Sequence, residues 1–170
     1  MSSTPQTSPT PEFAAAFRDF MLQSLEQEQR SIRRVISNVR EGDWKPDPKS
    51  RSAKELAWHI ASSQTWFLTS IGQGKFDDPG EAPPPPTTDE MVKKLDEGFQ
   101  QALPKIRALT GEQLLQITDF FGMKMPLYVY LNFALVHTVH HRGQLSTYLR
   151  ALGSTCPDIY GGSADEPWQG

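Results

Sequence analysis

Four histidines, His59, His137, His140 and His141, are the residues of this 170-residue chain whose type and spacing could do chemistry. His137 and His141 stand four apart in a stretch with helical patterning, so their rings share one helix face and can converge on a single ion. Advancing about 100° per residue from His137 puts His141 at about +40°, Gln144 at about −20°, Tyr130 and Tyr148 at about +20° and His140 at about −60°. Ala134, Leu145 and Leu152 share that face, so the imidazoles point towards a core. His59 sits in a second apolar stripe with Leu56, Ile60 and Phe67. Three inward imidazoles suit a divalent transition metal such as Zn, Ni or Fe. Three protein ligands also leave one coordination position open for a water, a thiolate or a carbonyl. The competing reading makes the same side chains hydrogen-bonded core histidines, because i, i+4 pairs also arise by chance. No Glu follows either His as in H-E-x-x-H, which disfavours a zincin-type protease.

The elements that must position these rings are four amphipathic helices. The first starts at Thr10-Pro11-Glu12, with Thr as N-cap and Pro at N1, and carries Phe13, Phe17, Phe20, Met21, Leu25, Ile32, Val35, Ile36 and Val39 at helical spacing. Gly42 is expected to close it. The second opens on a capping box, Ser52-x-x-Glu55, and presents Leu56, His59, Ile60, Ser63, Phe67 and Ile71. The third opens on Thr87-x-x-Glu90 and uses Met91, Leu95, Phe99 and Leu103, with Pro104 expected to kink it or end its regular part. A fourth runs from Pro126 to Leu152 and stops at Gly153. Residues 117–125, ITDFFGMKM, could form a small β-hairpin before it. The pattern is that of an all-α four-helix bundle.

The connection of residues 72–86, GQGKFDDPGEAPPPP, cannot be helical throughout. Extended, it reaches roughly 50 Å, enough to run the length of a helix and return to its starting end. The second and third helices are therefore expected to lie parallel, joined by a long crossover. Residues 1–10, rich in Ser, Thr and Pro, read as a disordered leader before a single domain over residues 11–166.

Composition removes several function classes. Lys plus Arg number 17 against 20 Asp plus Glu, a net charge of −3, which offers no general attraction to phosphate backbones or anionic lipid. Arg30, Arg33, Arg34 and Arg40 then read as a solvated stripe on the first helix rather than a nucleic-acid site. The most apolar stretch, Leu127 to Val136, is about half the roughly 20 residues a membrane helix needs, and the first residues lack the regions of a secretion signal. The lone Cys156 fits a reducing cytoplasm and lies outside the helical histidine set.

The segment His137-Thr-Val-His-His141-Arg142-Gly143-Gln144-Leu145, with Tyr148 to Gly153 and the tail Pro157 to Glu166, resembles the signature of the DinB-like (DinB/YfiT) superfamily. Ser52 to Ile60, containing His59, and Phe121 to Pro126 resemble the family's second-helix histidine and its hairpin. The resemblance covers roughly residues 13–166. It implies a bundle with parallel second and third helices and a metal site of His59, His137 and His141, with His140 an adjacent spare. It also implies a homodimer, and small-molecule chemistry such as thiol-dependent S-transfer using a low-molecular-weight thiol.

Three functions are carried forward: a metal-dependent S-transferase acting on small electrophiles, a metal-dependent hydrolase, and a non-enzymatic metal-binding module of a stress response. For the enzymes, Gln144 is expected to orient substrate or a metal-bound water and Tyr148 or Tyr130 to donate a hydrogen bond, against a packing role for both tyrosines. The hydrolase lacks a clear inward carboxylate to act as general base. Arg142, at about +140°, is expected in a surface or dimer salt bridge, and Gly143, at about −120°, where helices approach closely, within the chain or at a dimer interface. Trp58 either walls the site or simply packs.

Overall fold

The computed structural model describes residues 8–40, 44–78, 80 and 82–168. Most of the expected leader, and Gly42, lie outside them. Five helices and one hairpin follow in the order α1 Pro11–Ser37, α2 Ala53–Gln73, α3 Thr88–Ala108, α4 Gly111–Leu115, β1 Ile117–Phe120, β2 Met123–Pro126 and α5 Val129–Ala151.

Three of the four predicted helix starts hold. Thr10 Oγ1 accepts from the Phe13 amide, both halves of the Ser52–Glu55 box are made, and Thr87 Oγ1 accepts from the Glu90 amide. Each satisfies an amide that the first helical turn leaves without a partner. The ends differ from expectation. α1 ends at Ser37 with Asn38 as its cap, before Gly42 is reached. α3 passes through Pro104 for one more turn to Ala108, losing only the hydrogen bond that proline cannot donate. Pro126 does not open α5: it is the last residue of β2, and the helix begins at Val129 without a side-chain cap.

Contacts fix the helix directions. Thr65 meets Gly98 and Gly72 meets Lys105, the same offset at both points, so α2 and α3 run parallel. A Cβ on Gly98 would lie 2.3 Å from Thr65 Cγ2, an approach that only glycine permits. Phe67 packs on Phe133 while His59 packs on His141, so α5 runs antiparallel to α2. Arg18 bonds to the Leu109 carbonyl and Gln29 to Asp96, making α1 antiparallel to α3. The order is up-down-down-up.

The connection from α2 to α3 returns along the outside of α2. Trp66 Nε1 donates to the Asp77 carbonyl, Trp58 Nε1 to the Ala82 carbonyl and Lys54 Nζ to the Pro86 carbonyl, stepping back towards the start of α2 as the connection advances. This is the crossover expected from its length.

The short helix α4 is an addition to the sequence reading. Its box, Thr110 with Gln113, is complete, Leu114 is buried, and a Cβ on Gly111 would fall 2.2 Å from the Pro11 carbonyl of α1. The hairpin β1–β2 pairs Phe120 with Met123 across the loop Phe121-Gly122, whose φ angles of 50° and 92° are both positive, as a type I′ turn requires. Tyr130, fully buried on α5, places its hydroxyl 2.9 and 2.7 Å from the carbonyls of Thr118 and Met123, one on each strand.

Two apolar clusters fill the bundle. One gathers Leu22, Leu25, Phe67, Leu68, Phe99 and Leu131, the other Ile32, Ile36, Leu56, Ile60, Met91 and Leu149. In sequence, buried polar residues fall between them on three helices: Glu28 and Gln29 on α1, Gln64 on α2, Thr138 and Arg142 on α5. No helix among the described residues is long and apolar enough to cross a membrane.

Candidate metal centre

α2 and α5 cross with His59 facing His137 and His141. Ring centroids are 5.3 Å apart for His59 and His137, 4.7 Å for His59 and His141, and 4.5 Å for His137 and His141. One nitrogen from each ring falls in a group whose members all lie within 4.8 Å of one another, and all three residues are half-buried. The three residues expected from the sequence are thus brought together. His140, also expected as a spare, is exposed, with its ring 4.8 Å from that of His141. Cys156 stays in the tail, outside the group.

Electrostatics prepare these rings as ligands. Burial, then the neighbouring His141, His59, His140 and Arg51, push the His137 pKa down to about 4. Burial also lowers His141, partly offset by its hydrogen bond to Gln144. Both are therefore neutral near pH 7, the form that binds metal. His141 Nδ1 lies 3.1 Å from Gln144 Oε1. An amide oxygen only accepts, so Nδ1 carries the proton and Nε2 keeps its lone pair. His137 Nδ1 is buried with no hydrogen-bond partner. A packed core histidine would satisfy that nitrogen, so this orphan, with two further imidazoles facing it, fits a bound ion better than a hydrogen-bonded core.

Gln144 Nε2 lies 3.4 Å from the Tyr148 hydroxyl, and Tyr148 is buried edge-on to Trp44 at 5.3 Å. The two residues form a chain ending on His141. Neither is among the described residues lining the neighbouring cavity. Tyr130 closes the hairpin and takes the packing role.

That cavity, of about 800 Å³, is lined by His59 and His137 and walled by Trp58, Trp66, Phe67, Phe120, Phe121 and Phe133. Trp58 thus walls the site, with its indole nitrogen strapped to the connection. The aromatic wall was legible only in part, because Phe120, Phe121 and Phe133 reach it through the hairpin and the far turn of α5.

Two expectations about α5 are corrected. Arg142 is not at the surface: its side chain is 5% exposed and bonds Glu28, itself 3% exposed. Tyr160 in the tail reaches the same pair, its hydroxyl 2.7 Å from Arg142 Nη2. The tail covers this part of α5, which the helix angle could not reveal. Glu28 had a signal, since it falls between Leu25 and Ile32 on the buried stripe of α1. Within the chain Gly143 meets no close helix either, with nothing within 4 Å of a Cβ built on it.

Comparison with known proteins agrees with this architecture. The profile of the DinB family matches residues 13–169. The uncharacterized protein YrdA of Bacillus subtilis is 30% identical over 156 residues, spanning 88% of this chain and 91% of that protein. A DinB-like protein from Bacillus cereus has a similar fold, with a TM-score of 0.72 at 24% identity, covering 82% of this chain and 95% of the other. The DinB-like YjoA of B. subtilis gives 0.65 at 23%, covering 82% and 96%.

Proposed function

Because the chain belongs to the DinB family, we propose that it is a metal-dependent enzyme whose divalent ion is held by His59, His137 and His141, and that it transfers a low-molecular-weight thiol to a small electrophile. The observation that carries this reading is the convergence of three half-buried imidazoles beside an aromatic cavity, one with an unpaired buried nitrogen. When bound, the ion, Zn, Ni or Fe, supplies an open position at which a thiol is held in its deprotonated, nucleophilic form.

The chain's own residues do the rest. Burial keeps His137 and His141 neutral and ready to ligate. Gln144 is a positioning residue, fixing the His141 tautomer, and Tyr148 holds Gln144. The aromatic walls shield the electrophile from water, which would compete with the thiol. A hydrolase is the weaker reading. Asp78 is the one carboxylate among the described cavity-lining residues, and it is exposed, a poor setting for a general base tuned by burial. From the family resemblance we also propose a homodimer, which light scattering tests.

Elemental analysis of tag-free protein, alone and after exposure to Zn, Ni, Fe and Mn, tests the centre beside a His137→Ala/His141→Ala variant. About one ion per chain, lost in the variant, is expected. Disappearance of free glutathione or cysteine in the presence of 1-chloro-2,4-dinitrobenzene then tests the reaction. No tight metal under any loading overturns the enzyme reading. Metal with no thiol consumption leaves a binding module.

A further inference from the structure

Phe121 is the only non-glycine residue with a positive φ among the described residues, at 50°. It takes the first loop position of a turn that Asn, Asp or Gly fills without strain, whereas a bulky aromatic is strained in the left-handed region. Core burial does not offset that strain, because the side chain is 62% exposed. Its ring lies instead on Trp66, with centroids 6.3 Å apart and planes 30° apart, over the mouth of the cavity that His59 and His137 line. An exposed, strained aromatic at the rim of a ligand-sized cavity is placed there for what its ring touches.

The walls define what that is. Apart from the two histidines, Asp78 is the one ionisable side chain among the described lining residues, and there is no Lys or Arg. An anion entering the metal-free cavity would meet a carboxylate and no Lys or Arg, and would lose its hydration without compensation. A flat π-system would instead find rings at stacking distance on several sides.

We propose that the hairpin tip is one jaw of a ligand clamp: Phe121 and Trp66 hold an uncharged aromatic molecule at the mouth of the histidine site, and Phe121 is a specificity-determining residue for it. This deepens the enzyme reading above by naming the class of the electrophile, and rests on that reading only for what happens after binding.

The test separates clamp from metal. Binding of 2-naphthalenemethanol and of its anionic counterpart 2-naphthoate is measured by ligand-observed NMR on metal-free and zinc-treated wild type and on Phe121→Asn. In metal-free wild type the alcohol is expected to bind at least about tenfold more tightly than the carboxylate, and zinc, which offers the carboxylate a cation, should narrow that gap. Phe121→Asn should weaken the alcohol about five- to tenfold while its thermal midpoint holds or rises, since Asn-Gly suits this turn. A merely structural Phe121 would leave affinity unchanged, and that result overturns the proposal. So does equal binding of both probes to metal-free wild type. If the protein takes up no metal yet shows the preference and its dependence on Phe121, the clamp stands and the enzyme reading falls. If it takes up metal and shows no preference, the reverse holds.

Discussion

Glu28 on α1 and Arg142 on α5 form an ion pair inside the bundle, with side chains 3% and 5% exposed. Two charges at that depth are tolerable only because each satisfies the other and Tyr160 closes the network from the tail. Arg142 also directly follows His141, so the pair anchors the turn of α5 that presents the site. Removing one partner strands a charge, and Arg142→Leu or Glu28→Leu should destabilise the fold by about 3–5 kcal/mol. The double variant, which buries no charge, should recover much of the loss. Tyr160→Phe, which removes the bond its hydroxyl accepts from Arg142 and the one it donates to Glu28, should cost about 1–3 kcal/mol. Urea denaturation of the four proteins measures all of this, and additive single effects would contradict the coupling.

Stability of the metal-free protein should fall in mildly acidic solution because of His137. Its pKa in the fold, about 4, lies below the ordinary value of 6.5. Between those values the unfolded chain takes up a proton that the native state refuses, so unfolding becomes easier as pH drops through that window. Above it the effect vanishes. His141 shifts in the same direction and adds to it. Denaturation midpoints of chelator-treated protein at pH 7 and pH 5 should therefore separate more for wild type than for His137→Phe. Equal separation would mean that the ring is protonated freely in the fold.

The bundle was readable because its starts are chemical. Thr10, Ser52 and Thr87 announce helices through their hydroxyls, and the length of the connection allows α2 and α3 to be parallel. Thr110-x-x-Gln113 carried the same signal for α4, hidden by the shortness of the helix it begins. The histidine triad was readable because two members share a helix face and the third sits in an apolar stripe. The surroundings were not. Arg142 lies off the histidine face by angle, and only the returning tail makes that side an interior. Phe121 enters the cavity through a turn conformation that its residue type argues against, so no propensity points there. Gln144 shares the histidine face, but angle alone does not distinguish a substrate contact from a hydrogen bond to the next turn.

Gln144 should be felt in metal affinity before it is felt in stability. Its amide oxygen holds the His141 Nδ1 proton at 3.1 Å, and partners of this kind typically change metal affinity by about 10- to 100-fold. Because Gln144 is exposed, Gln144→Ala should leave the thermal midpoint of the metal-free protein nearly unchanged. Competition with a chromophoric chelator gives the affinity, and scanning calorimetry the midpoint. Unchanged affinity would mean that His141 needs no such support.

Two mid-helix glycines give opposite predictions from one substitution. Alanine is favoured over glycine in a helix by about 1 kcal/mol, so each change starts with the same intrinsic gain. At Gly143 nothing lies within 4 Å of the added methyl, and Gly143→Ala should keep that gain. At Gly98 the methyl would fall 2.3 Å from Thr65 Cγ2 and 2.9 Å from its Cβ, both close to the backbone and unable to swing away. Gly98→Ala must push α3 off α2, and overpacking of this kind costs about 1–3 kcal/mol, enough to reverse the sign. Thr65→Ala should restore part of the loss, since it removes Cγ2 and leaves Cβ. Thermal midpoints of wild type, the two glycine variants and the Gly98→Ala/Thr65→Ala double variant decide it. A stabilised Gly98→Ala would show that the two parallel helices are looser than their contacts imply, and a destabilised Gly143→Ala would point to a second chain packed against that turn of α5.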